Sequence, residues 1–154
     1  MSSSLQEFMA AGAIKAAADL ETALNRIPDD KRGWSPAAGA RSALDQLAEC
    51  ALLGGQIARL VHARAWPADY DPDVYERDQG RLADDETAAR SMLHSGAAEA
   101  AEAIRAVPDA DLAIQVELPW GPMALAQIIA YPYWNTTYHE GQINYIASIL
   151  GCLE

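Results

Sequence analysis

The sequence predicts an all-α protein, a four-helix bundle with a short β strand or hairpin before the last helix. Three observations favour this fold class. Apolar residues make up 51% of the 154 residues and aromatic residues only 7%, a composition typical of alanine-rich helix packing. Four long segments repeat apolar residues at helical spacing, and one short segment alternates them with polar or small residues, as a strand does. The length fits a single domain over residues 1–154.

The first two helices are predicted over residues 4–26 and from between residues 35 and 42 to about His62. Ser4 and Glu7 form a capping-box pattern at the start of the first helix, ahead of apolar residues at helical spacing. The second helix is apolar on nearly every side. Because a helix without a broad polar face buries all of its surface, we expect this helix to lie at the centre of the bundle.

In the second half of the chain we predict a long connection, two helices and a strand. Residues 64–83 contain two prolines, several acids and no clear period, so we expect a connection that covers part of the protein. The next helix is predicted over residues 84–107, with Met92 among its inward residues. The strand is predicted over residues 112–118, and the last helix over residues 123–150.

Charge and cysteine usage narrow the expected partners. The formal net charge is −11 at pH 7, and the 11 Lys and Arg residues are scattered. Nucleic-acid affinity comes largely from basic residues that neutralise phosphates, so we expect no nucleic-acid partner. The first residues lack a signal-peptide pattern and no apolar run reaches the length of a membrane span, so we expect a cytoplasmic protein without a membrane partner. Cys50 and Cys152 lie outside any zinc-ligand spacing and are expected to be reduced thiols.

The last helix carries polar residues on a stripe that is otherwise apolar. At about 100° per residue, Asn135, His139 and Gln142 point in the same direction as Ile146 and Ile149. We expect the whole stripe to face inward, where a polar group without a partner costs about 1–3 kcal/mol. The three polar side chains therefore need partners inside the protein. The aromatic residues of this helix are assigned to packing or to a subunit contact: Tyr131, Tyr133, Trp134 and Tyr138.

Glu49 on the second helix is the predicted counterpart of this stripe. It is a carboxylate on a largely apolar helix, and a buried carboxylate needs a partner. Spacing alone leaves two interpretations open. Glu49, Asn135 and His139 can offer two oxygens and a nitrogen to a divalent metal ion, or the same groups can form a hydrogen-bonded network that sets the register of the helices.

Two segments carry a family resemblance, WSPAAGARSALDQLAECALL on the second helix and YWNTTYHEGQINYI on the last. Together with the order and length of the elements, they resemble the DinB/YfiT-like superfamily of bacterial proteins regarded as metalloenzymes, which is distinct from the DNA polymerase that shares the DinB name. The resemblance implies a four-helix bundle with up-down-down-up connections, often assembled as a homodimer. We therefore expect a homodimer.

The resemblance also implies a metal site. In that superfamily a histidine about seven residues after a serine joins two histidines of the last helix, at positions i and i+4, around a divalent ion such as nickel or zinc. Position by position, Glu49 follows Ser42 by seven residues and replaces the first histidine, Asn135 replaces the second, and His139 is retained. The implied ligands are Glu49, Asn135 and His139, with Gln142 orienting a ligand or His139. Oxygen ligands shift the preference towards harder ions, so the candidates are Ni, Zn, Mn and Fe.

The activity implied by the resemblance is thiol-dependent. Members with known activities resemble transferases and isomerases in which the metal activates the thiolate of a low-molecular-weight thiol. The leading expectation is therefore a metal-dependent enzyme of this kind. The alternative is a non-catalytic dimeric bundle protein that binds a small molecule, or is stress-related, and has lost the metal site. Removal of divalent ions is expected to alter the stability or activity of the first kind of protein alone.

Overall fold

The computed structural model describes residues 5–153, and these residues are mostly helical. The predicted helical fold class and the β hairpin before the last helix agree with it. Ser4 lies outside the described residues, and so does its predicted capping box. The elements, in chain order, are α1 (Leu5–Asn25), α2 (Ala43–Ala63), α3 (Pro72–Asp84), α4 (Glu86–Arg105), β1 (Gln115–Leu118), β2 (Gly121–Ala124) and α5 (Leu125–Ile149), with single 3₁₀ turns at Asp29–Lys31 and Asp109–Asp111.

Helix α2 begins at a capping box. The Ser42 hydroxyl accepts a hydrogen bond of 3.1 Å from the backbone N–H of Asp45, and the Asp45 carboxylate accepts one of 2.9 Å from the backbone N–H of Ser42. This reciprocal pair satisfies backbone donors that a helix start leaves unpaired. The helix ends at Arg64, whose backbone takes the left-handed conformation with φ of 50°.

Helix α3 corrects the prediction of a long irregular connection over residues 64–83. The Asp71 carboxylate caps the helix by accepting a hydrogen bond of 2.9 Å from the backbone N–H of Asp73, and Pro72 occupies the first turn. Of the 13 residues of this helix, Leu82 is the single buried one. The less exposed residues Tyr75, Asp78, Gln79 and Leu82 follow helical spacing, but two of them are polar. Apolar residues alone therefore mark this helix poorly, and the Asp71-Pro72 capping pattern is its clearer signal in the sequence.

The four long helices pack around two clusters of buried apolar residues, and each helix contributes to both clusters. Helices α1 and α2 each pack extensively against both α4 and α5, whereas α1 touches α2 little and α4 touches α5 little. Helix α3 packs mainly on α2. No helix among residues 5–153 is long and apolar enough to cross a membrane.

The hairpin is short and precedes α5 directly. Strands β1 and β2 pair antiparallel, with Leu118 opposite Gly121, so residues 119–120 form the turn. Gly121 has φ of 118°, a conformation that side chains disfavour. The strand starts three residues later than predicted, because the 3₁₀ turn and its exit take up residues 109–114. Val116 and Leu118 face the core.

Two residues predicted to face inward do not. Met92 is 40% exposed and Ile149 is 49% exposed. On α4 the next residue, Leu93, is buried instead. Because adjacent helix residues point about 100° apart, Met92 faces away from the core. On α5 the inward direction near the end is set by Ile143, and Ile149 lies about 120° around the helix from it.

Candidate functional site

The polar stripe of α5 faces α2 near the middle of both helices. His139 is 4% exposed, Asn135 is buried beside it, and both point at Glu49, whose side chain is 25% exposed. Helix α5 places Asn135 and His139 one turn apart on the same face, and it runs through Pro132 without ending. The structure thus brings together the three residues predicted as metal ligands.

Both ring nitrogens of His139 have oxygen partners. Nε2 lies 3.0 Å from Oε1 of Glu49. Nδ1 lies 3.0 Å from Oε1 of Gln142 and 3.2 Å from Oε1 of Gln46. Because carboxylate and amide oxygens are acceptors, the ring nitrogen that carries the proton has a partner in either tautomer. Gln142 thus contacts His139, and its predicted role in orienting His139 or a ligand stays a prediction.

Glu49 is held as a carboxylate by cationic and polar donors. The Arg41 guanidinium donates to Oε2 and also donates, over 2.7 Å, to the backbone carbonyl of Asp45. The hydrogen bond from His139, followed by that from Arg41, outweighs burial and lowers the pKa of Glu49 from its ordinary 4.5 to about 2. Glu49 is therefore ionised throughout the physiological pH range.

Asn135 links this cluster to a buried cysteine. Its Nδ2 lies 3.4 Å from Oε1 of Glu49, and its Oδ1 lies 4.0 Å from Sγ of Cys50. Burial, together with the charge of Glu49, raises the pKa of the Cys50 thiol to about 12. Since the thiolate is the reactive form, this cysteine is not a nucleophile at neutral pH.

The residues that complete the cluster, Arg41 and Gln46, were not predicted. Gln46 lies three residues before Glu49 on the same face of α2, so helical spacing could have found it. Arg41 lies ahead of the helix start and folds back onto Glu49, and no periodic signal marks such a contact.

Glu49 also borders a cavity of about 660 Å³. Helices α2, α3 and α5, the connection between α2 and α3, and the hairpin all contribute to its wall. His139 and Asn135 do not line it, so Glu49 is the member of the polar cluster that faces the cavity. Its volume falls within the range of about 300–1,000 Å³ that small-molecule sites occupy.

Aromatic side chains form much of the cavity wall. The lining aromatics are Trp66, Tyr70, Tyr75, Trp120 and Tyr131. Burial first, and then the charge of Glu49, raises the pKa of Tyr75 to about 12, and the same two causes raise the pKa of Tyr131. Both phenols are therefore neutral donors near the carboxylate. Of the aromatics assigned to packing from the sequence, Tyr131 instead lines the cavity.

Glu49, Asn135 and His139 are residue types that can bind a divalent ion, but their oxygen and nitrogen atoms already form hydrogen bonds. Oε1 of Glu49 lies within hydrogen-bond distance of His139 and Asn135, and Oε2 accepts a hydrogen bond from Arg41. An ion bound to Glu49 would replace these hydrogen bonds. Within residues 5–153, no three His, Cys, Asp or Glu side chains are grouped to hold a metal. The predicted ligands include only two residues of these types, Glu49 and His139, because the third ligand is Asn135. They therefore do not form such a group.

Comparison with known proteins adds no relative. No protein-family model matches the sequence, and no curated protein matches it either. The resemblance to the DinB/YfiT-like superfamily accordingly rests on its two sequence segments and on the order and length of the elements.

Proposed function

We propose that this protein is a non-catalytic small-molecule-binding helical protein whose ligand occupies the cavity beside Glu49. The observation that carries the proposal is the cavity itself, about 660 Å³ in volume and walled mostly by apolar and aromatic side chains. Glu49 lies at the end nearest the start of α2, and the other charged lining residues are Arg59, Asp69, Asp71 and Asp78. A large apolar site with few polar groups is the usual form of a small-molecule site.

The hydrogen bonds of the polar cluster support binding rather than catalysis. A general base needs a lone pair directed at its substrate and a pKa near the working pH. Glu49 has a pKa of about 2 and is engaged by Arg41 and His139, so it removes protons poorly and serves as a fixed negative charge. Among the described lining residues no histidine or cysteine is present.

The test is titration with the neutral dye Nile red, whose emission shifts on entering an apolar site. We expect saturable binding by the wild type and its loss in Leu53→Trp, because the larger ring fills the cavity that Leu53 lines. Met92→Trp adds the same ring at an exposed position outside the cavity and should bind as the wild type does. Equal binding by the wild type and Leu53→Trp, or none by either, would reject the proposal.

A second candidate is the metal-dependent enzyme implied by the DinB/YfiT-like resemblance. The specific observation in its favour is that Nδ1 of His139 faces two amide oxygens, the arrangement that fixes a proton on one ring nitrogen and leaves the other for a metal. Glu49, Asn135 and His139 would hold the ion, which would stabilise the thiolate of a low-molecular-weight thiol. Arg41 opposes it, since a cation already pairs with Glu49.

The two candidates differ in metal content. Mass spectrometry of tag-free protein, before and after incubation with Mn, Fe, Ni and Zn, should find no stoichiometric metal if the binding proposal is right. Stoichiometric metal in the wild type that is lost in both Glu49→Gln and His139→Ala would instead establish the metal-dependent enzyme and justify a screen for thiol transfer.

The superfamily resemblance extends the proposal to the arrangement of helices and to a homodimer. We propose up-down-down-up connections of the four long helices, with α3 as an addition. Exposed aromatic residues lie on neighbouring faces of α1 and α5, where Trp134 stacks on Tyr138 with ring centroids 5.9 Å apart. Light scattering should report a dimer that Trp134→Lys dissociates, whereas Trp120→Lys, at the cavity, leaves it intact. A monomeric wild type would exclude the dimer.

A further inference from the structure

The charged side chains that line the cavity are mostly acidic. Glu49 lies at the end nearest the start of α2, and Asp69, Asp71 and Asp78 lie on the connection after α2 and on α3. Arg59 is the single basic residue among the described lining residues. The whole chain carries a net charge of −11, and its long-range field acts in the same direction. An anionic ligand would therefore be repelled on approach and inside the cavity.

The aromatic rings follow one another along the wall. Trp66 contacts Tyr70 with ring centroids 4.9 Å apart, and it meets Trp120 edge-on at 5.3 Å. Tyr70 in turn lies 6.3 Å from Tyr75. Aromatic faces attract cations through their quadrupole, and tryptophan does so most strongly. The rings and the carboxylates thus favour the same sign of ligand charge by two separate physical effects.

Most of the remaining wall is aliphatic, and Gln56 is the one amide in it. Leu52, Leu53, Ile57 and Leu60 of α2 line it, together with Leu118 of the hairpin. These side chains offer dispersion contacts and hydrophobic burial to a carbon skeleton, but no hydrogen bonds. A ligand that matches the whole wall therefore needs an apolar body as well as a positive group.

We propose that the cavity binds an organic cation, a molecule with an ammonium group attached to an apolar body. This inference rests on the proposed binding function and adds the charge class of the ligand. The ammonium group lies against Trp66 and Asp69, three residues apart in the connection after α2, and the apolar body lies along α2. Arg41 and His139 already pair with Glu49, so we place the ammonium group against Asp69 and leave Glu49 with its existing partners.

The experiment compares probes matched in shape and different in charge. Choline and 3,3-dimethylbutan-1-ol have nearly the same shape, but only choline is charged; hexyltrimethylammonium supplies a longer apolar body and hexanoate an anion. Binding is measured by tryptophan fluorescence and saturation-transfer NMR on the full chain. We expect the cation to bind about tenfold more tightly than its neutral isostere, which corresponds to the strength of a well-formed cation–π contact.

Two variants separate the causes of this preference. Trp120→Leu removes an aromatic face at a side chain that is 65% exposed, so folding is little affected. Asp69→Asn removes a charge while keeping the size of the side chain. Each should reduce the preference for the cation severalfold, measured as the ratio of the affinities of choline and its neutral isostere in the same variant. Trp34→Leu removes an exposed tryptophan outside the cavity and should leave this preference unchanged.

The outcomes distinguish this inference from the function on which it rests. If Nile red enters the cavity but choline and its neutral isostere bind equally, or hexanoate binds as well as the cation, the ligand is not a cation and the binding function stands. If neither Nile red nor any of the other probes binds, both fail. A preference for the cation that survives in Trp120→Leu and in Asp69→Asn would also overturn the assignment to this cavity.

Discussion

The two sides of α2 are built in opposite ways. Towards α4, the helix approaches so closely that a Cβ atom added at Gly54 would collide with the backbone of Gly96. Towards α3, the hairpin and α5, the same helix borders a cavity of about 660 Å³ and carries Glu49. On the α4 side, two glycines without side chains allow the helix backbones to touch. On the opposite side, long side chains from several elements surround an open space.

This difference shows how a small helical protein can keep a cavity. Protein interiors normally pack at crystal-like density, and an unsupported void tends to collapse or destabilise the fold. Here the contact with α4 fixes α2 by backbone-to-backbone packing, while Glu49, Arg41 and His139 tie the cavity side to α5 and to the segment before α2. The stabilising contacts lie beside the cavity and leave its interior free.

Among substitutions that test this difference, Gly54→Ala is expected to lower the free energy of unfolding most. The added Cβ meets backbone atoms of α4, which cannot rotate away, so the helices must separate. Overpacking typically costs about 1–3 kcal/mol, and we expect the upper end of that range because backbone must move. Urea denaturation measures the change. A loss below about 0.5 kcal/mol would show that the α2–α4 contact is adaptable and does not support the cavity.

His139→Ala should have the next largest effect. It leaves Glu49 without its buried partner and removes the ring that Gln46 and Gln142 contact, so we expect a loss of about 2 kcal/mol in the free energy of unfolding. His94→Ala is the matched control, since His94 pairs with Glu21 on the exposed surface and should cost under about 0.5 kcal/mol. Equal losses in the two variants would mean that the polar cluster contributes no more than a surface pair.

The contribution of Glu49 should depend on pH. Its pKa is about 2 in the folded protein against an ordinary 4.5, so the ionised form stabilises the fold above pH 4.5 and this contribution disappears as pH falls towards 2. We expect Glu49→Gln to cost about 1 kcal/mol at pH 7, since the carboxylate is part exposed, with the difference from wild type shrinking below pH 4.5. Glu76→Gln, on the exposed side of α3, is the control. A difference that is constant from pH 7 to pH 3 would contradict this interpretation.

The smallest effect is expected from Gly55→Ala, one residue from the close contact. An added Cβ there would lie 3.5 Å from a carboxylate oxygen of Glu99, an ordinary contact distance. Alanine is favoured over glycine inside a helix by about 0.5–1 kcal/mol, so the variant should be as stable as the wild type or slightly more so. Destabilisation comparable to that of Gly54→Ala would show that both glycines, and not the single contact, define the α4 side.

Much of the fold could be predicted because its signals are local. The helices α1, α2, α4 and α5 repeat apolar residues every three or four positions, and β1 shows alternation, so their approximate bounds follow from the sequence. The bounds of β2 do not, since the last helix was predicted to begin at residue 123, inside that strand. Helix α3 was missed because the side it turns inward mixes polar with apolar residues. The inward positions of Met92 and Ile149 were wrong because the direction of the core varies along each helix. A period identifies a helix more firmly than it identifies the side that becomes buried.

The sequence by itself determined that Asn135 and His139 share one face of a helix and that Glu49 needs a partner, because those statements depend only on helical geometry and on the cost of burying polar groups. Only the tertiary structure decided that Arg41 also reaches Glu49, and that Trp66, Tyr75 and Trp120 surround one cavity. Those residues belong to elements far apart in the chain, and the space between elements depends on how they pack together rather than on any local pattern.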